Sequence, residues 1–173
     1  ADYPEKVKKL IIADIAPKDY LTMEDESQYH LHRNILLALQ ELDISGFTDR
    51  SQVEERLAEK IDDPRIIQFL LKNTTREPVT HRLKWRLNAV ALYENLEEIV
   101  SGVNRRWIDD RIPITSYPVV FIRGLLSHYI TDEDIPAIRE IYPEARIVDI
   151  PGAGHWLHAE QPGLFLKAVT ECC

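Results

Sequence analysis

Three short apolar runs stand out along the chain: Leu10-Ile11-Ile12-Ala13-Asp14-Ile15, Val119-Val120-Phe121-Ile122 and Ala145-Arg146-Ile147-Val148-Asp149-Ile150. The first two are nearly continuous in β-branched and apolar residues, the pattern of strands buried on both faces of a parallel sheet. The third alternates, as a strand at a sheet edge does. Loop chemistry follows each run: Ala16-Pro17, Arg123-Gly124, and Pro151-Gly152-Ala153-Gly154. Between the second and third runs, Thr131 is placed to cap a helix, and Asp132, Glu133 and Asp134 sit where its positive end favours acids. Ile135, Ile138 and Ile141 then recur at helical spacing. Phe165, Leu166 and Val169 mark a final helix. A strand, a crossover helix and a further strand make the fold class α/β with parallel strands.

The first and second runs are separated by about a hundred residues of little strand character, far more than the dozen or so a simple crossover needs. Helical patterns cover Tyr29 to Leu42, Ser51 to Lys60, Ile66 to Lys72 and Leu83 to Val100, with Ser51 and Glu54 spaced as a capping box. The expected organisation is therefore a core of residues 1–18 and 113–173 interrupted by a helical cap, residues 19–112. Both ends of the cap leave the sheet, so it is expected over the carboxyl ends of the strands as a lid, where open α/β sheets bind their ligands.

Composition narrows the partners. The 173 residues are 45% hydrophobic and 29% charged, as in ordinary globular proteins. With 21 Lys+Arg against 29 Asp+Glu the formal net charge is -8, the wrong sign for holding nucleic acid. No cluster of basic residues in the sequence argues for a phosphate-bearing carrier. No apolar run approaches the roughly 18 residues of a membrane span, so no membrane partner is expected. Cys172 and Cys173, adjacent to each other, cannot staple a fold and read as the thiols of a cytoplasmic protein. The acidic run Glu24-Asp25-Glu26 reads as a solvated face. Ala-Asp-Tyr-Pro-Glu-Lys-Val, from Ala1, reads as the end of a helix running into a strand, as though the sequence began within a fold.

The most informative stretch is Pro151-Gly152-Ala153-Gly154-His155-Trp156-Leu157-His158-Ala159-Glu160-Gln161-Pro162. Two glycines let the backbone turn just past a strand and present His155 with its imidazole free to take a proton. His158 follows three residues later, but no third ligand is spaced to join the pair around a metal. His30 and His32, two apart, point to different sides of a helix. Asn73-Thr74-Thr75 has the form of a glycosylation sequon only.

In this stretch the sequence resembles the α/β-hydrolase family. Gly-x-Gly-His-Trp followed by His-Ala-Glu-x-Pro and Phe165 resembles the loop that carries the family's catalytic histidine. Leu10 to Pro17 resembles its sixth strand, and Phe121-Ile122-Arg123-Gly124-Leu125-Leu126-Ser127 its seventh. Trp85-Arg86-Leu87-Asn88, preceded by Phe69-Leu70-Leu71-Lys72-Asn73, narrows the resemblance to the esterase and thioesterase-like branch with a helical cap. It implies a partial α/β-hydrolase fold, its carboxyl-terminal part from the sixth strand onward, about two thirds of a protein of about 250 residues.

The resemblance implies His155 as general base. The acid most often follows the seventh strand, three residues after a glycine, but Ser127 stands there and a hydroxyl cannot supply the negative charge. The branch resembled places its acid at the end of the sixth strand, which is Asp14; Asp132 and Asp134 are the alternatives. Trp85, Phe69 and Ser127 are the expected substrate-binding residues, against the plainer reading of Trp85 and Phe69 as packing. No cofactor is implied.

The family's nucleophile sits in a Gly-x-Ser-x-Gly elbow. The glycines Gly46, Gly102, Gly124, Gly152, Gly154 and Gly163 form no such pattern. The implied activity is hydrolysis of a small acyl ester or thioester, with the chain inactive alone and the serine supplied from outside it. An unpaired sixth strand would recruit another: a separate amino-terminal hydrolase half, a second copy in a homodimer, or the rest of a longer protein. Two other readings stay open. One is a non-catalytic binding module on the same scaffold; the other is a haloalkane or epoxide hydrolase relative with an aspartate nucleophile.

Overall fold

The computed structural model describes residues 3–21, 27–102 and 112–172. The acidic run Glu24-Asp25-Glu26 and Cys173 lie outside them. In chain order the elements are β1 (Leu10–Ala13), α1 (Ser27–Glu41), α2 (Arg50–Ala58), α3 (Pro64–Leu71), β2 (Thr74–Arg76), β3 (Leu83–Trp85), α4 (Ala89–Glu94), α5 (Leu96–Val100), β4 (Val119–Gly124), α6 (Ile135–Ile141), β5 (Arg146–Ile150), α7 (Leu157–Glu160) and α8 (Pro162–Cys172). The chain divides into two compact units, Ala1–Asp19 with Gly102–Cys173, and Tyr20–Ser101. The second unit, Tyr20–Ser101, falls within the segment 19–112 expected as a helical insertion. Among the described residues no helix is long and apolar enough to cross a membrane.

The first unit is an α/β layer. Its three-stranded sheet has the order β1-β4-β5 and is parallel throughout, with Leu10 opposite Val119 and Val120 opposite Arg146. Strand alternation sends successive side chains to opposite faces. Val119 and Phe121 pack on one face with Ile138 and Ile141 of α6 and with Ile130. Val120, Ile122 and Ile150 pack on the other with Leu157 of α7 and Ala168 of α8. Central β4 is accordingly buried along almost its whole length. The first run, expected to be buried on both faces, is only half-buried at Leu10, Ile11 and Ile12, because among the described residues β1 pairs with β4 alone. Parallel strands bring their carboxyl ends, at Ala13, Gly124 and Ile150, to one edge.

The second unit is built on its own apolar cluster, including Leu39, Val53, Leu57, Ile67, Leu70, Leu71 and Leu83. Two expectations fail here. The helical pattern from Leu83 to Val100 begins instead with a strand: Leu83-Lys84-Trp85 is buried, exposed, half-buried and pairs antiparallel with Thr74-Thr75-Arg76. The helix starts only after Asn88, whose side chain accepts from the Ala91 N–H at 3.1 Å. Apolar spacing alone does not separate a three-residue strand from the first turn of a helix. The cap of α2 is Asp49 rather than Ser51. Asp49 accepts from the Ser51 N–H at 2.8 Å, and Gln52 accepts from the Asp49 N–H at 3.2 Å, so a capping box forms two positions earlier than the Ser-x-x-Glu pattern placed it.

Candidate active site

Asp14 is the residue after β1 and is the most deeply buried acid described, 1% exposed. Its φ of 50° is left-handed, a conformation that Asp tolerates better than most residues. Its N–H still donates to Ile122 O at 2.8 Å, so the sheet ladder runs into the site before the chain turns away. The carboxylate accepts three hydrogen bonds: from the Gly124 N–H to Oδ1 at 3.0 Å, from the Ser127 hydroxyl to Oδ2 at 2.5 Å, and from His155 Nδ1 to Oδ2 at 2.9 Å. A buried carboxylate without such donors would carry the full cost of lost hydration, which charge-assisted hydrogen bonds offset. Because the carboxylate only accepts, the imidazole proton sits on Nδ1, which leaves Nε2 for other chemistry. The His155 side chain is 44% exposed.

Two glycines bring these groups together. A Cβ on Gly124, at the end of β4, would lie 2.3 Å from Gly154 O and 2.4 Å from Ala153 O, so only glycine lets the strand end meet the histidine loop. Gly152 turns that loop with a φ of 70°. Leu126 N–H donates to Ala153 O at 2.9 Å, and Gly154 N–H to the Glu160 carboxylate at 2.8 Å, pinning the loop on either side of its turn.

Tyr129 completes the surroundings and was not signalled by the sequence. Its ring stacks on His155 with centroids 3.9 Å apart and planes inclined by 21°. Its N–H donates to the Ser127 hydroxyl oxygen at 3.2 Å. Burial, and after it the neighbouring Asp14 carboxylate, raise the phenol above its ordinary pKa. No local motif announces such a residue, because its place follows from the turn that Ser127 N–H closes on Gly124 O at 3.0 Å.

The other sequence candidates fall elsewhere. Asp132 pairs with Arg123 at 2.8 Å and Asp134 with Lys18 at 2.7 Å, so of the three acids weighed it is Asp14 that contacts His155. Ser127, expected to bind substrate, turns its hydroxyl to Asp14. His158 lies edge-on to Phe165 at 6.4 Å. Phe69 and Trp85 are not brought together. Trp85 donates its indole N–H to Leu42 O at 3.3 Å and lines a cleft of about 410 Å³ with Leu39, Leu83 and Leu87, while Phe69 on α3 is half exposed and does not line it.

A parallel sheet whose strand ends carry a buried acid and a glycine-flanked histidine, interrupted by a separate helical unit, is the architecture of the α/β hydrolases. Known proteins point to the same class. The chain is 30% identical over 165 residues to Esterase YbfF of Escherichia coli, covering 95% of this chain and 57% of that protein. It is 29% identical over 171 residues to the sn-1-specific diacylglycerol lipase ABHD11 of Mus musculus, covering 96% and 51%. It superposes on a solved structure described as a marine microorganism esterase with a TM-score of 0.87 and 41% identity, over 99% of this chain and 63% of that one. No family model matches. The chain belongs to the α/β-hydrolase family, among its esterase-like members, and holds a partial form of the fold. It spans about half the length of the curated relatives it matches.

Proposed function

We propose that this chain supplies the base and the orienting acid of a carboxylic-ester or thioester hydrolase. His155 Nε2 takes the proton of a serine supplied from outside these residues as that serine attacks the acyl carbonyl. It returns the proton to the leaving alkoxide or thiolate, then activates the water that releases the acid. Asp14 holds the imidazole in the Nδ1–H form and steadies the imidazolium while it carries the second proton. The observation that carries this reading is the 2.9 Å contact between His155 and a carboxylate already held by two other donors. Relatives with esterase and lipase names support the substrate class.

The serine is proposed to come from a segment carrying a Gly-x-Ser-x-Gly elbow, whether in a longer form of this protein or in a second polypeptide pairing along β1. The test is hydrolysis of p-nitrophenyl acetate by this chain alone and by the chain together with such a segment. We expect turnover only with the segment present, and a fall in kcat of about 10²–10⁴-fold on His155→Ala. Full activity of His155→Ala would defeat the assignment. Saturable binding of short acyl esters with no turnover by the complemented protein would leave a binding module.

A further inference from the structure

The second unit gathers basic residues that the sequence scatters. Asp49, Arg50, Lys72, Thr74, Thr75, Arg76 and Arg86 line one open cleft of about 600 Å³. Arg50 begins α2, Lys72 follows α3, Arg76 ends β2 and Arg86 follows β3, so the cleft forms where two helix ends meet the small hairpin. Four cations face one carboxylate there, in a chain whose net charge is -8. The sequence shows no such basic cluster, because residues 50, 72, 76 and 86 converge only through the β2–β3 pairing and the two helix ends.

The cations are poorly neutralised from within. Asp49 accepts from the Ser51 N–H as the helix cap; that bond first, and the charge of Arg76 after it, hold its carboxyl below the usual carboxylate range, so this one carboxylate offsets only part of the four cations. Arg50 donates Nε to Thr74 Oγ1 at 2.8 Å and Nη2 to Thr74 O at 3.4 Å, and buried Thr74 is itself anchored by donating to Leu71 O at 2.7 Å. Those bonds fix the guanidinium and leave its other N–H groups unused. Arg76 donates to His81 O at 3.2 Å. Among the described residues no carboxylate pairs with Lys72 or Arg86. Four like charges held together against a single carboxylate raise the local potential, and planar guanidinium forks fit the oxygens of a phosphate two at a time.

We propose that this cleft binds the phosphate or diphosphate group of a small organic ligand. The proposal does not rest on the hydrolase reading, and binding is expected unchanged in His155→Ala. The test is isothermal titration calorimetry of the whole chain with inorganic pyrophosphate and with ADP as probes, and succinate as the carboxylate control. Saturable one-site binding is expected for both phosphate probes, the tighter of them showing whether an organic group is also held. Lys72→Glu combined with Arg86→Glu should weaken binding at least tenfold; both residues are exposed and, among the described residues, their side chains make no hydrogen bond, so the fold should survive, as circular dichroism can verify. Lys6→Glu combined with Lys167→Glu, the same charge change in the other unit, should leave affinity within twofold. Absence of saturable binding, equal weakening by the two double variants, or succinate binding as tightly as pyrophosphate would overturn the proposal.

Discussion

In the sheet unit a single carboxylate, Asp14, is buried and receives donors from Gly124, Ser127 and His155; in the second unit four exposed cations share a cleft with one carboxylate, which caps a helix. The first arrangement is rigid because burial leaves no water to replace a lost partner, so each donor is held where it is. The second is open to solvent and salt, and its reach comes from summed charge rather than from any one bond. The two proposed sites of this chain thus differ in kind, one fixed by hydrogen bonds to a buried carboxylate and the other by the summed charge of exposed cations.

Substitutions can break this contrast at several points, and the largest effect is expected at Asp14. Asp14→Asn keeps the shape but can donate to Nδ1, which would hold the imidazole as the wrong tautomer. Kcat of the complemented protein on p-nitrophenyl acetate should fall about 10⁴-fold with KM little changed. Gly124→Ala should come next, since the added carbon would meet backbone oxygens at 2.3 and 2.4 Å. Urea unfolding should show a loss of about 1–3 kcal/mol or more from overpacking, together with loss of activity as the histidine loop is pushed off β4.

Ser127→Ala should be milder, because the buried carboxylate keeps two of its three donors. A stability loss of about 1–3 kcal/mol is expected in the same urea measurement. In the second unit Asp49→Ala should cost about 1 kcal/mol through the lost helix cap, leaving the ring proton of His155 unaffected by NMR. The smallest effect is at Tyr129. Its phenol is held above the ordinary pKa, so the unfolded chain loses that proton first as pH rises. The associated stability is fully present below about pH 10 and is lost as pH climbs through the folded value. Tyr129→Phe should therefore flatten the fall of Tm above that pH, as thermal melts between pH 9 and 11 would register.

The core was legible in the sequence because its chemistry is local. An apolar run ending in Asp14, another ending in Gly124, and a glycine turn presenting His155 each carry their own signal, and parallel pairing does the rest. The contacts of Ser127 and Tyr129 were not legible, since they depend on how the turn after β4 folds back. In the second unit, three-residue strands leave too little period to read, so Leu83–Trp85 looked helical. Asp49 and Ser51 compete for the same capping role, and the structure resolves them by letting Gln52 reach back to the Asp49 N–H. The basic cleft was invisible for a further reason: its four cations are spread from position 50 to position 86 with acids between them.

The pairing of Asp14 with His155 is tested most directly by the ¹⁵N chemical shifts of the His155 ring, measured on this chain at a pH where the imidazole is neutral. The proton should reside on Nδ1 in the unmodified protein and move to Nε2 in Asp14→Asn. A ring already protonated on Nε2, or one whose shifts ignore the substitution at Asp14, would contradict the pairing on which the proposed chemistry depends.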